Sequence, residues 1–417
     1  MGSFSNALSA LTANSRAIDV TSTNLANLNT LGYKKDQVSF EDLVHQTLGA
    51  QTNNQAASGS SAIRTFRQFS QGSLQTTNGA YDAAIQGSGF FVVQNAAGQQ
   101  VFTRDGSFKV DSVGHLVTAD GNFVQGWNAN AQGVLTPAGA TSNLVLPSSP
   151  VRAAQASTFF TINANLNSNA VVGGPDGTFT SPVVVIDSQG TTHQVAVSFT
   201  KTAANAWTYN VTIPAADVGQ VGPPVQLTTG SFTFDASGNL LTGTLPAGGQ
   251  IPIAITGLAD SANNINLNWN VEDATARPLI TQFGQPSSTS TTSKDGWQSA
   301  QLVSVGIGDQ GKLQANYSDG STVAVGQLAI ASVVNPDSLV SLSGNQYAVS
   351  AKTSTPIISV AGVGTQGSVV GGAVETSTVD IAEEFTHLLT YERGYQANSK
   401  VITTQDEILQ DVLALKR

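Results

Sequence analysis

Not one of the 417 residues is a cysteine, so neither a disulfide nor a thiolate nucleophile is open to this chain, and packing alone must hold it. Charge is also scarce: Asp, Glu, Lys and Arg make up 11 % of the residues, against about a quarter in an ordinary globular protein. The formal net charge is −10, which excludes nucleic acid as a partner, because a phosphate-binding surface needs an excess of Lys and Arg. Long apolar runs are missing, and nothing approaches the roughly 18 residues of a membrane-spanning helix. The first cation is Arg16 and polar residues interrupt every early apolar run, so no secretory signal peptide is expected.

Motifs that carry chemistry are missing too. His45, His115, His193 and His387 fall in separate segments with no metal-ligand spacing between any two, and each is expected to be solvated or hydrogen-bonded at the surface. Calcium loops, a nucleophile elbow and a phosphate-binding glycine loop are absent. Gly87-Ser88-Gly89 reads as a turn before a strand. Glu383-Glu384 and Asp406-Glu407 read as the solvated face of a helix. No catalytic, cofactor-binding or metal-binding residue is expected, and the chain is not expected to be an enzyme.

What the sequence does contain is strongest at its end. Every seventh residue from Ile381 is apolar, through Leu388, Tyr395, Ile402 and Leu409, the seam of a long coiled-coil helix over 375–417. Asp380 is placed to cap it, Glu383 to complete a capping box, and Lys416 and Arg417 to meet the negative end of its dipole. The first 32 residues carry a second stripe, Phe4, Leu8, Leu11, Ser15, Ile18, Ser22 and Leu25, followed by Leu28 and a stop at Gly32. This helix is rich in Ser, Thr and Asn and is marginal alone. Both terminal helices are therefore expected to order only when their apolar stripes find a partner. The two could pack on each other within one chain, or on neighbouring copies.

Between the helices the composition is that of short strands and turns. Charged residues number twelve in 375–417 but only eleven in 112–293, which separates ends from middle. A connector is expected at 33–70, with a flexible stretch at 51–61. Hairpins follow at 71–146, and a second β region with strict alternation runs over 147–285, as in Trp207, Tyr209, Val211 and Ile213. The hairpin style returns over 286–360, and a Gly-rich connector, 361–374, leads to the last helix. The fold class is thus mainly β with long terminal helices, an inner β domain being interrupted by an inserted antiparallel β domain. Polar or Gly-rich joints at 51–61, 284–293 and 362–372 are expected to let these bodies slide.

The segment Asn24-Leu25-Ala26-Asn27-Leu28-Asn29-Thr30-Leu31-Gly32-Tyr33-Lys34 resembles the N-terminal signature of the bacterial flagellar rod and hook proteins. Val379 to Glu384, Tyr391 to Asn398 and Ile402 to Leu409 are similar to that family's C-terminal signature, and Gly87 to Phe91 and Phe102 to Phe108 to its shared core. Thr378 stands where the family usually has Asn, and Glu392 where it has Gln. Rod members are markedly shorter and lack a large insert, so the resemblance points to the hook branch. It implies a subunit of a curved, flexible tube that joins motor to filament and transmits torque as a universal joint. It also implies export without a cleaved signal peptide to an extracellular basal body and hook. The implied partners are copies of the chain in a helical homopolymer, the flagellar distal rod protein, the hook–filament junction protein, the hook cap protein during assembly, and the flagellar export apparatus. The expected subunit interface is Leu8, Leu11, Ile18, Leu25, Leu28, Ile381, Leu388, Tyr395, Ile402 and Leu409. A distal rod-type axial protein, a β-rich surface adhesin and a cell-wall enzyme are the other readings; the adhesin needs a secretion signal or anchor, and the enzyme a cleft with perturbed carboxylates.

Overall fold

The computed structural model describes residues 2–44, 57–130, 133–241 and 248–414. They form two compact units, one of Met1–Ser148 with Val303–Arg417 and one of Ser149–Leu302.

In the first unit, helix α1 (Gly2–Ala26) packs on helix α2 (Ile381–Ala414). Where a connector was expected at 33–70, strand β1 (Asp36–Val44) pairs antiparallel with β2 (Ala57–Arg67). The pairing starts at Asp36↔Arg67 and runs to Val44↔Ala57. Val38, Phe40, Ile63 and Thr65 are β formers that alternate along these strands, and Arg67 closes the root with two hydrogen bonds to Asp36, 2.9 and 2.8 Å. Residues 57–61 of the expected flexible stretch thus belong to a strand, and 51–56 lie outside the described residues.

The inner β body of this unit is stitched from both halves of the chain. Phe90–Gln94 folds back on Gln100–Thr103 as a hairpin. The later halves then interleave: Gln346–Ala348 pairs with Gln100–Thr103, Thr322–Leu328 with Phe123–Asn128, and Ser368–Gly371 with Ala83–Gln86. Its core gathers Phe90, Val92, Phe102, Trp127 and Tyr347. The run 362–372 is therefore no free joint over its second part. A Cβ on Gly371 would stand 1.8 Å from the carbonyl oxygen of Ile307, so glycine serves close backbone approach there rather than hinge motion.

The second unit is a sandwich. Thr178–Ile186, Thr192–Ala203, Ala206–Ile213 and Val225–Thr233 form an antiparallel meander. The facing sheet orders Gln250–Ile255, Ile265–Asn270, Phe159–Asn167 and Ile280–Phe283. Antiparallel pairing dominates, but Phe159–Asn167 runs parallel to both of its neighbours in that order. The alternating residues Val195, Val197, Phe199, Trp207, Val211, Ile253, Leu267 and Trp269 all enter one core. The polar run 284–293, expected as a linker, holds most of a strand, Ser288–Lys294, paired antiparallel with Phe159–Asn167. Its threonines favour extended backbone while facing solvent, so no apolar pattern marks it. The unit consequently ends at Leu302 rather than 285.

Candidate assembly surface

The residues picked out by heptad spacing are not the ones buried deepest on α1. On α1 the buried residues are Ala7, Ala13, Ala17, Thr21 and Asn24, a stripe about a third of a turn from Leu8, Leu11, Ile18 and Leu25 at roughly 100° per residue. The helices approach closely at one glycine. A Cβ on Gly394, the one glycine of α2, would come within 2.8 Å of the Asn14 side chain.

The apolar residues picked out by heptad spacing are left on the flanks. Leu8, Ile381 and Tyr395 are exposed, and Leu11, Ile18, Leu25, Leu28, Leu388 and Ile402 are half-buried. The Leu409 side chain lies outside the described residues, as do Lys416 and Arg417. Heptad reading missed Phe385 and Leu389, which continue from Ile381 in steps of four on α2; the three are 47 %, 53 % and 49 % exposed respectively. The spacing i, i+4, i+8 was legible as one helix face. Phe40 of β1 is exposed too, with its ring 5.9 Å from that of Tyr391.

Below the helices, the two terminal signatures close on each other. Asn24 is their hub: its Nδ2 donates to the Asp36 carbonyl at 2.8 Å and to Glu384 Oε1 at 3.3 Å, while its Oδ1 accepts from the Asp36 N–H and the Tyr33 hydroxyl. Gly32 ends the turn at φ +65°, and a Cβ there would stand 2.6 Å from the Arg104 carbonyl carbon, so both conformation and space demand glycine. Its N–H donates to the Glu375 carbonyl at 2.8 Å.

The Glu375 carboxylate is fully buried and takes up two cations. Lys34 Nζ donates to Oε1 and also to the Ser70 carbonyl, and Arg104 Nη1 donates to Oε2 at 3.1 Å. The Gly72 N–H adds a donor to Oε1 at 2.7 Å, and Arg104 Nη2 reaches the Gly87 carbonyl at 2.8 Å. One carboxylate thus joins the N-terminal signature, the core segment and the chain leading to α2. Burial pushes the Lys34 ammonium below its usual range, against the opposing pull of Glu375. Burial, and then the Asp36 carboxylate, push the Tyr33 hydroxyl up to about 12.

Asp380 caps α2, its Oδ1 accepting the N–H groups of Ala382 and Glu383 at 2.8 and 3.0 Å. Glu383 does not reach back to complete a capping box; it pairs instead with Lys35 at 2.8 Å. Thr378, in the place of the usual Asn, accepts the Lys35 N–H through its hydroxyl at 2.9 Å.

Of the histidines, His45 lies outside the described residues, His115 pairs with Asp111 at 3.1 Å, and His387 is half-buried beside Tyr391. His193 departs from the expected surface histidine. It is only 5 % exposed, inside the second unit, because the turns around its sheet fold three aspartates over it. Asp105 is a carboxylate with a raised pKa, pushed up by burial. Its Oδ1 is taken by the N–H and hydroxyl of Ser107, both at 2.9 Å, so it shapes the turn of the core segment.

Family models match both ends and the middle of the chain. Residues 4–34 match the family described as flagella basal body rod protein, and 370–415 the flagellar basal body rod FlgEFG protein C-terminal. Residues 84–198 match the flagellar hook protein FlgE/F/G D1 domain and 165–297 the flagellar basal body protein FlaE D2 domain. The flagellar hook protein FlgE of Rhizobium meliloti is 32 % identical, covering 100 % of this chain and 99 % of its own. That of Treponema pallidum is 31 % identical over 100 % of both chains, and that of Escherichia coli 28 % identical over 99 % of this chain and 100 % of its own. The crystal structure of Helicobacter pylori flagellar hook protein FlgE2 shares the fold, with a TM-score of 0.55 over 71 % of this chain and 99 % of that one, at 13 % identity. With signatures at both ends, a shared core between them and relatives matched over their full length, the chain belongs to the flagellar hook protein family.

Proposed function

We propose that this chain is a structural subunit of the bacterial flagellar hook, polymerising through its terminal helices into a curved tube that carries torque from rod to filament. It is not an enzyme: the family is structural. The observation that carries the reading is the exposed row Ile381, Phe385 and Leu389 on α2, a continuous apolar face that a lone chain leaves in water and a neighbouring copy would cover. Leu8, Leu11, Ile18, Leu25, Leu28, Leu388, Tyr395 and Ile402 flank the same helices and, with Leu409, complete the proposed subunit interface. The sandwich of residues 149–302 is assigned to the outside of the tube, where it tunes shape. At the two ends of the tube the partners are the distal rod protein and the hook–filament junction protein. The cap protein and the export apparatus act during assembly, and the subunit leaves the cell uncleaved. Electron micrographs of the purified chain at high concentration test the core of this: tubes are expected, and a monomer that persists under all conditions overturns it.

A further inference from the structure

Within the sandwich unit, His193 stands on the strand Thr192–Ala203 with both ring nitrogens facing carboxylates. Nε2 lies 3.1 Å from Asp187 Oδ2 and 3.8 Å from Asp260 Oδ2, and Nδ1 lies 3.3 Å from Asp217 Oδ2. Two of the carboxylates are aimed by backbone. Asp187 Oδ1 accepts the N–H groups of Gln189 and Thr191 at 2.7 and 2.9 Å, and Asp260 Oδ1 that of Ala262 at 3.0 Å. Each therefore turns its other oxygen toward the imidazole. Nε2 and the oxygens of Asp187 and Asp260 all lie within 4.8 Å of one another, the spread of atoms that share one small cation.

Charge asks for such a cation. Three carboxylates surround one imidazole, so even a protonated ring leaves an excess of negative charge beside a fully buried Asp187. The remaining contact has the form of a metal site's support: a ligating histidine donates its other N–H to a carboxylate, which sets the tautomer and orients the ring. Asp217 occupies that position at Nδ1. We propose that Asp187, His193 and Asp260 form a site for a divalent cation of the Zn2+ or Mn2+ class, with Asp217 as the positioning residue. One imidazole with two carboxylates suits these ions, whereas Ca2+ takes six to eight oxygens. Asp217 and Asp260 side chains keep 27 % exposure, so solvent completes the coordination and the ion has a way in. The ion would tie the turns of Asp187 and Asp260 to the strand of His193, whatever the chain assembles into.

The test is zinc titration of the full-length chain after chelator treatment, followed by calorimetry and metal analysis. One zinc per chain is expected, lost in His193→Gln and in Asp187→Asn. In Asp217→Asn the stoichiometry should hold while affinity falls tenfold or more, the effect of removing a ligand's support. Nitrogen NMR of the wild-type His193 ring needs no variant to fold: with zinc the ring should be neutral, carrying its proton on Nδ1. A ring that stays protonated on both nitrogens in excess zinc overturns the site and leaves an imidazolium clamped by aspartates. Zinc uptake undiminished in a folded His193→Gln chain overturns it equally.

Discussion

Between the sheets of residues 149–302, Trp207, Trp269, Phe160 and Phe199 are fully buried, and the Trp269 ring lies against Phe160, Phe199, Tyr209 and Phe232 at centroid distances of 5.2 to 6.0 Å. On α1 the buried apolar side chains among the described residues are those of Ala7, Ala13 and Ala17, and α2 meets Asn14 with the bare backbone of Gly394. A methyl group is worth about 0.8 kcal/mol when buried, whereas truncating a core Trp costs about 3–5 kcal/mol. The sandwich closes on its own apolar residues. The helix pair leaves Leu8, Ile381, Phe385 and Leu389 exposed, as the proposed interface with other copies requires. The expectation that the terminal helices order only in the assembly rests on the polar, weakly helical sequence of α1, and its slight apolar burial is in keeping with that proposal.

The sharpest way to break the comparison is to charge the outer face of α2. Replacing Phe385 and Leu389 together by Asp should abolish tubes in electron micrographs. Both side chains are about half exposed in the single chain, so the thermal unfolding of the β units should scarcely move. Tubes of normal yield would show that this face is not the interface. The converse substitution, Trp269→Ala, acts on the other region. It should lower the stability of the sandwich by about 3–5 kcal/mol, read from denaturant unfolding by tryptophan fluorescence, while the helical circular dichroism signal persists and tubes still form. Loss of tubes with a folded helix pair would move the sandwich from decoration to scaffold.

How much of this was legible depends on what each residue faces. The sandwich core was readable residue by residue, because alternation along Ala206–Ile213 and Ile265–Asn270 is burial alternation. Strand Ser288–Lys294 was not, since an edge of Ser and Thr looks like a linker when only apolar residues are counted. The helices were legible as helices, and Asp380 as the cap, but the alanines buried on α1 were not. Heptad counting rewards leucines, whereas on α1 the alanines are buried deepest and Leu11, Ile18 and Leu25 are half-buried. The junction at Glu375 was invisible for another reason: Lys34, Arg104 and Glu375 are far apart in sequence, and only the interleaved β body brings them together. The same holds for His193, whose partners Asp217 and Asp260 come from distant turns.

The smallest effect lies where the helix pair meets the β body, at Tyr33. Its hydroxyl donates to Asn24 Oδ1 at 3.2 Å and its pKa is pushed up to about 12 by burial and by Asp36. An unfolded tyrosine ionises near pH 10. Between about pH 10 and 12 the folded chain therefore binds more protons at this site than the unfolded one, so stability falls as pH rises through that window. Below pH 10 the hydroxyl is neutral in both states and the contribution is fully present. Burial of Lys34 has the opposite sign, because its lowered pKa leaves the unfolded chain with more bound protons at alkaline pH. Tyr33→Phe isolates the first contribution from the second. At neutral pH it should cost about 1 kcal/mol, the worth of one hydrogen bond, and it should flatten the loss of stability between pH 10 and 12. Urea unfolding followed by the helical circular dichroism signal at several pH values reads both. An equally steep alkaline loss in the Phe variant would place the titrating group elsewhere in the junction.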